Sequence, residues 1–122
     1  MLLDSNIIIY AARPENSELR RFIAECTPAV SALSYVEVLG YHRLSESDRP
    51  YFEEFFGATR ILAISQAVLN QAVVLRQMRK MTLGDSIIAG TALVYNLTLV
   101  TRNIEDFRWI TQLTLLNPFE DN

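Results

Sequence analysis

One cysteine, Cys26, and one histidine, His42, are the chain's whole supply of thiol and imidazole ligands. A disulfide within the chain is thereby excluded, as are a cysteine-based zinc site and any mechanism that needs two imidazoles. Lysine is equally scarce: Lys80 stands alone, and every other basic residue is arginine. Basic residues number 11 against 14 acidic ones, for a net charge of −3 and a pI near 5.1. A general affinity for nucleic acid shows as a basic surplus, so any nucleic-acid role must rest on a local site. The apolar run Ile7–Ala12 has no positive region before it and is too short for a signal peptide or a membrane span. The expectation is a soluble, cytoplasmic protein. No low-complexity tract, long charge run, internal repeat or Pro/Gly/Ser-rich linker interrupts the chain.

What is present is a globular composition. Half of the 122 residues are apolar and a fifth are charged, which a disordered chain does not show. A length of this order predicts one domain, residues 1–122, with a core that needs no staples. Short apolar runs alternate with amphipathic stretches. Met1–Asp4, Pro28–Ser31, Arg60–Ile64, Leu97–Thr101 and Leu113–Leu116 read as strands. Between them, helices are predicted over Ile7–Ala11, along the stripe Leu19, Phe22, Ile23 and Cys26, and from Ser34 toward Tyr41. Further helices are predicted over Pro50–Phe56, along Val68, Ala72, Leu75 and Met78, over Leu83–Tyr95 and over Ile104–Trp109. Strands alternating with helices imply an α/β fold, with a mostly parallel sheet covered on both faces. In such sheets ligands bind beyond the carboxyl ends of the strands.

Four acids fall at or near those ends. Asp4 closes the first strand, Glu37 is placed in the first turn of the helix after the second, and Asp106 follows the fourth. Asp85 opens the long helix before the fourth strand. Ser34-x-x-Glu37, Thr82-x-x-Asp85 and Asn103-x-x-Asp106 also match a helix-capping pattern, and helix dipoles favour acids there. Capping leaves Asp4 unexplained, and the two readings are compatible. Converging carboxylates repel each other. Oxygen ligands without His or Cys suit Mg²⁺ or Mn²⁺, and such ions serve phosphodiester hydrolysis by activating water and neutralising the leaving oxygen.

Leu3-Asp4-Ser5-Asn6-Ile7, Ser34-x-x-Glu37, Asp85-Ser86-Ile87-Ile88-Ala89-x-x-Ala92 and Thr101-Arg102-Asn103-x-x-Asp106-Phe107 resemble, in order and spacing, the motifs of PIN-domain ribonucleases. The likeness is to VapC-type toxins of bacterial toxin–antitoxin pairs and spans nearly the whole chain; Asn117-Pro118-Phe119 is similar to the family's ending. The resemblance implies a PIN fold with a parallel sheet of about five strands. It implies Mg²⁺- or Mn²⁺-dependent cleavage of an RNA substrate, a homodimer, and inhibition by a cognate antitoxin. Asp4, Glu37, Asp85 and Asp106 match the family's four acids. Of these, Asp4 and Asp85 are expected as direct metal ligands, with Glu37 and Asp106 acting through solvent or on a second ion. Ser5, Asn6, Thr101 and Asn103 match its supporting polar positions, Ser5 standing where Thr is commoner.

An acidic protein that cuts RNA needs local positive charge. Arg13, Arg79, Lys80, Arg102 and Arg108 lie near the motifs, and Arg102 is the foremost of them for holding phosphate; the alternative for each is a solvated surface. Tyr51, Phe52, Phe55 and Phe56 are too many aromatics for one helix face, so some are expected in the core and the rest in a groove for an antitoxin helix. Cys26 reads as core, His42 as surface and Trp109 as packing at the sheet edge. Two rival classes are weighed. A phospho-acceptor receiver lacks its acidic pair and its lysine after the last strand, and an Asp-x-Asp phosphatase fails at Asn6. A non-catalytic α/β binding module and a PIN domain of RNA processing that is no toxin remain as alternatives.

Overall fold

In the computed structural model, which describes residues 1–120, the first strand, β1 (Leu2–Leu3), lies at the centre of a five-stranded sheet ordered β3-β2-β1-β4-β5. The others are β2 (Ala29–Ser31), β3 (Arg60–Leu62), β4 (Leu99–Val100) and β5 (Leu115–Leu116), and every pairing is parallel. Seven helices connect them: α1 (Ser5–Ala11), α2 (Ser17–Glu25), α3 (Ala32–Leu39), α4 (Arg49–Gly57), α5 (Gln66–Met78), α6 (Leu83–Tyr95) and α7 (Ile104–Phe107). The α/β architecture expected from the alternation is therefore present.

Side chains alternate across a strand, and here they feed two cores. Leu3, Val30 and Val100 pack on one face with Ile7, Ile8, Leu19, Val38, Phe52 and Phe56 from α1 to α4. Leu2, Ala29 and Leu99 pack on the other with Leu75, Ile88, Ala89, Ala92 and Phe107 from α5 to α7. Helices thus cover both faces, and the strands are short, apolar and buried, as parallel strands are. Ser86 through Ala92 are all buried, so α6 is enclosed around most of its circumference. Its neighbour α5 comes close enough that a Cβ at Gly90 would lie 3.1 Å from the Val68 carbonyl oxygen.

The chain order places the site. From β1 the chain moves outward to β2 and β3, then crosses back to β4 and β5. The direction of progression therefore reverses between β1 and β4, and the crevice for ligands opens beyond the carboxyl ends of such a pair. Asp4 and Thr101 are the residues immediately after those two strands. The Asp4 amide donates to the Val100 carbonyl at 3.0 Å, extending the ladder to the rim.

Three local expectations are corrected. Helix α3 begins at Ala32 rather than Ser34, because Ser31, still extended at the end of β2, caps it by accepting from the Leu33 amide at 3.0 Å. Ser34 is therefore a buried residue within the helix, and Glu37 sits in its second turn, not its first. The Asn103 side chain makes no cap for α7. The Asn103 amide instead donates to Thr101 Oγ1 at 3.1 Å, closing a turn that holds the loop against β4. The strands at Arg60, Leu97 and Leu113 are shorter than their apolar runs, since only the residues in register have a partner strand. The Thr82 cap is formed as expected, its hydroxyl accepting from the Asp85 amide at 3.1 Å.

Candidate active site

Asp4 is the buried member of the acid set, 8% exposed. Extended backbone at Asp4 ends β1 and leads directly into α1, so the carboxylate lies over the first turn of that helix. Thr101 Oγ1 donates to Asp4 Oδ2 at 2.9 Å, and the same oxygen accepts from the Asn103 amide. Thr101 is itself fully buried. Burial pushes the Asp4 carboxyl above the ordinary carboxylate range and the nearby charge of Glu37 adds to that, against the pull of Thr101 and of the Asn6 and Ser5 amides. Asn6 and Asn103 thus bear on the site through their backbone N–H groups; both side chains are exposed.

Asp85 is half-buried at the start of α6. Its carboxyl is also pushed up, first by burial and then by the like charges of Asp4 and Asp106, with Glu37 contributing less; Thr82 opposes the shift. Four acids from four separate segments therefore share one electrostatic neighbourhood. Glu37 is exposed and reaches toward the start of α6, its Oε2 lying 3.6 Å from where a Cβ on Gly84 would stand. Asp106 is exposed on α7.

A relay of hydroxyls fixes Glu37. Ser5 Oγ donates to Glu37 Oε1 at 2.7 Å and lies 2.8 Å from Ser34 Oγ. A hydroxyl has one proton to give, so Ser34 donates to Ser5 and Ser5 to Glu37. Ser34 is a site residue that its capping pattern concealed; its burial on the inner side of α3 was the signal that it has a partner.

The basic residues are not alike. Arg13 and Arg102 both lie over the Tyr10 ring, their guanidinium carbons 4.9 and 5.2 Å from its centroid. Arg13 also lines a groove of about 490 Å³ with Glu37, Tyr41, Arg43 and Phe52. Arg108 is engaged by Glu105 at 2.8 Å, and Arg79 stacks over Trp109 at 5.6 Å. Lys80 is exposed in the turn before α6. Of the four aromatics on α4, Phe52 and Phe56 are core. Tyr51 and Phe55 are half-buried and line a separate cavity of about 700 Å³ with Arg20, Ile23, Ala24 and Pro28.

Among the described residues no three His, Cys, Asp or Glu side chains are gathered closely enough to hold an ion between them. The donor set nevertheless fits a hard divalent cation. It is all oxygen, burial and then neighbouring like charges push the Asp4 and Asp85 carboxyls above the ordinary carboxylate range, and Mg²⁺ needs only one or two carboxylates beside its waters.

Comparison with known proteins identifies the family and the fold. A family model described as PIN domain matches residues 1–110. A chain of a toxin–antitoxin complex from Klebsiella pneumoniae superimposes with a TM-score of 0.79 at 29% identity, covering 98% of both chains. A chain of VapBC2 from Rickettsia felis, solved with a DNA fragment from its promoter, does so at 0.81 and 25% identity, over 95% of this chain and 96% of that one. A chain of FitAcB from Neisseria gonorrhoeae shares the fold at 0.80 and 23% identity, over 98% and 99%. No curated protein sequence matches.

Proposed function

Since the chain belongs to the PIN domain family, we propose that it acts, as a single domain, as a metal-dependent endoribonuclease and as the toxin of a toxin–antitoxin pair. The observation that carries this reading is the placement of Asp4, held by Thr101, at the rim where β1 and β4 part, with Asp85, Glu37 and Asp106 near enough to act on one another's charge. Asp4 and Asp85 are the direct ligands for Mg²⁺ or Mn²⁺ in this reading, with Glu37 and Asp106 completing the set. The cation supplies activation of water and neutralisation of charge on the leaving oxygen.

The chain's own residues do the rest. Thr101 holds the Asp4 carboxylate by one oxygen. Ser34 and Ser5 turn Glu37 toward the start of α6. Glu37 and Asp106, both exposed, face the solvent from which the attacking water comes and accept its proton. Water adds to phosphorus as one of these two carboxylates takes a proton from it, the bond from phosphorus to one ribose oxygen breaks, and that oxygen leaves with a proton returned by the same carboxyl or by solvent.

Purified protein should cleave single-stranded RNA in Mg²⁺ or Mn²⁺. Asp4→Asn and Asp85→Asn should each lose that cleavage, and EDTA should abolish it in the unaltered protein. Undiminished cleavage by both variants, or indifference to EDTA, would overturn the assignment.

The partners follow from the same reading. The relatives crystallised as toxin–antitoxin complexes support an antitoxin partner, and the cavity beside Tyr51 and Phe55 supports a docked apolar segment there. Growth arrest on expression, relieved by co-expressing a small neighbouring gene, is the expected result. Unimpeded growth alongside active ribonuclease would favour a PIN domain of RNA processing instead.

A further inference from the structure

Arg102 directly follows Thr101, whose hydroxyl holds Asp4, so its backbone is fixed at the rim of the acid site. Its guanidinium carbon lies 4.5 Å from the Phe119 ring centroid and 5.2 Å from that of Tyr10. The two rings meet edge to face at 5.8 Å and 85°. Each ring is tied down. Tyr10 is in the last turn of α1, and its carbonyl accepts from Asn16 Nδ2 at 2.7 Å. Phe119 is placed by its own turn, in which its amide donates to Asn117 Oδ1 at 2.9 Å. Phe119 also lies beyond residues 1–110 that the family model matches.

We propose that Tyr10 and Phe119 clamp Arg102 at the rim of the acid site as the contact for an RNA phosphate flanking the one cleaved. The inference rests on the ribonuclease reading and deepens it. Aromatic rings engage a guanidinium by its face, whereas its five N–H donors lie in the plane and point from its edge. With the two rings at 85° to each other the flat guanidinium can meet one of them at most by its face, and neither ring offers a conventional acceptor, so the clamp orients the cation and leaves N–H donors for phosphate. Carboxylates do not consume them either. Among the described residues Arg102 and Arg13 make no ion pair, while Arg49 and Arg108 pair with Glu46 and Glu105. In a chain with a net charge of −3, two guanidinium groups gathered on the Tyr10 ring with no ion pair among the described residues form a local concentration of positive charge. That concentration is what an anionic strand requires in order to approach.

The test is the binding of a fluorescein-labelled single-stranded oligoribonucleotide in EDTA across a salt series, together with cleavage kinetics in Mn²⁺. Arg102→Ala should weaken binding about tenfold and lower the slope of log affinity against log salt by about 0.7, the value for one phosphate contact on a single strand. Phe119→Ala should reproduce much of both effects and raise KM while kcat stays within about twofold. Phe119→Tyr, which keeps a ring, should restore binding. The double variant should bind no worse than Arg102→Ala, because both changes remove one contact. Phe119 lies at the surface but packs on Tyr10 and Arg102, so a small drop in the unfolding midpoint is expected, and the salt slope is a quantity that a merely structural role would leave alone. A wild-type slope and KM in Phe119→Ala, or additive losses in the double variant, would overturn the clamp while leaving the nuclease standing. RNA neither bound nor cut by the unaltered protein would remove both.

Discussion

Thr101 uses one hydroxyl twice, donating to Asp4 Oδ2 and accepting from the Asn103 amide. Its replacement by the isosteric Val removes both bonds and leaves the buried Asp4 Oδ2 without that partner, whereas the amide of exposed Asn103 can turn to water. An unsatisfied group of this kind costs about 1–3 kcal/mol, so Thr101→Val should lower the unfolding midpoint by several degrees. Groups that orient a metal ligand typically change affinity or activity by about 10–100-fold when removed. Cleavage should fall by that factor, and Thr101→Ser should recover most of it. Full activity in Thr101→Val would show that Asp4 needs no orientation. Asp85 presents the opposite balance. Its carboxyl is pushed up by burial and by three like charges, so the folded chain binds its proton more readily than the unfolded chain does. Stability from this group is complete below the ordinary aspartate value of 3.8 and is lost as pH rises through the higher folded value. Asp85→Asn escapes that loss. In EDTA at neutral pH its unfolding midpoint should exceed the wild type's, and the gap should close in acid. Mn²⁺ should raise the midpoint of the wild type but not of the variant. A less stable Asp85→Asn at neutral pH in EDTA would contradict the crowding.

At the scale of elements, legibility depended on whether a signal was local. Helix α6 matches its expected bounds, Leu83–Tyr95, because both ends are written in neighbouring residues. Thr82 caps the start, and Asn96 takes the left-handed conformation (φ 53°) that ends many helices. The pattern at α3 points to a cap three residues too late, because Ser31 and Ser34 offer the same hydroxyl. The sheet chose between them: Ser31 is held in register with Leu62 on β3, a pairing that no local pattern encodes. The candidate acids Asp4 and Asp106 are legible as carboxylates after strands, and Asp85 through the Thr82 cap that opens α6. The Ser34–Ser5–Glu37 relay and the Arg102 clamp are not, since they join segments brought together only by folding. Glycines make the same distinction testable. A Cβ on Gly57, in the last turn of α4, meets nothing within 4 Å, whereas one on Gly90 would press on the Val68 carbonyl oxygen and lie 3.3 Å from the Ala72 amide nitrogen. Both positions have negative φ, so Ala brings only its helical preference of up to about 1 kcal/mol and its methyl. Gly57→Ala should raise the midpoint in urea. Gly90→Ala should lower it, because both neighbours are main-chain atoms that move only if α5 moves. Equal gains at the two positions would mean that α5 and α6 are not in such close approach.

The outer surface of the whole molecule is less finished than its interior. Val36 on α3, Val73 and Met78 on α5, and Leu83 at the start of α6 are each more than half exposed. Helix α6 packs against both α3 and α5, so these side chains belong to α6 and the two helices it touches. Apolar exposure of this kind on a small chain marks a surface that is covered in use, and the expectation of a homodimer supplies the cover. A two-fold dimer buries the same patch on both partners, so a single charge introduced there acts twice and must leave water on both sides. Val73 is exposed on α5, an element that carries none of the four acids, so Val73→Glu should separate the protomers and leave the acids in place. Light scattering should give twice 13.9 kDa for the wild type at micromolar concentration and the single-chain mass for Val73→Glu, with helical content unchanged. RNA cleavage per chain in the variant then decides whether the dimer matters to the reaction or only to stability. A wild-type chain that stays at the single-chain mass from micromolar to near-millimolar concentration would leave that apolar surface to a different protein.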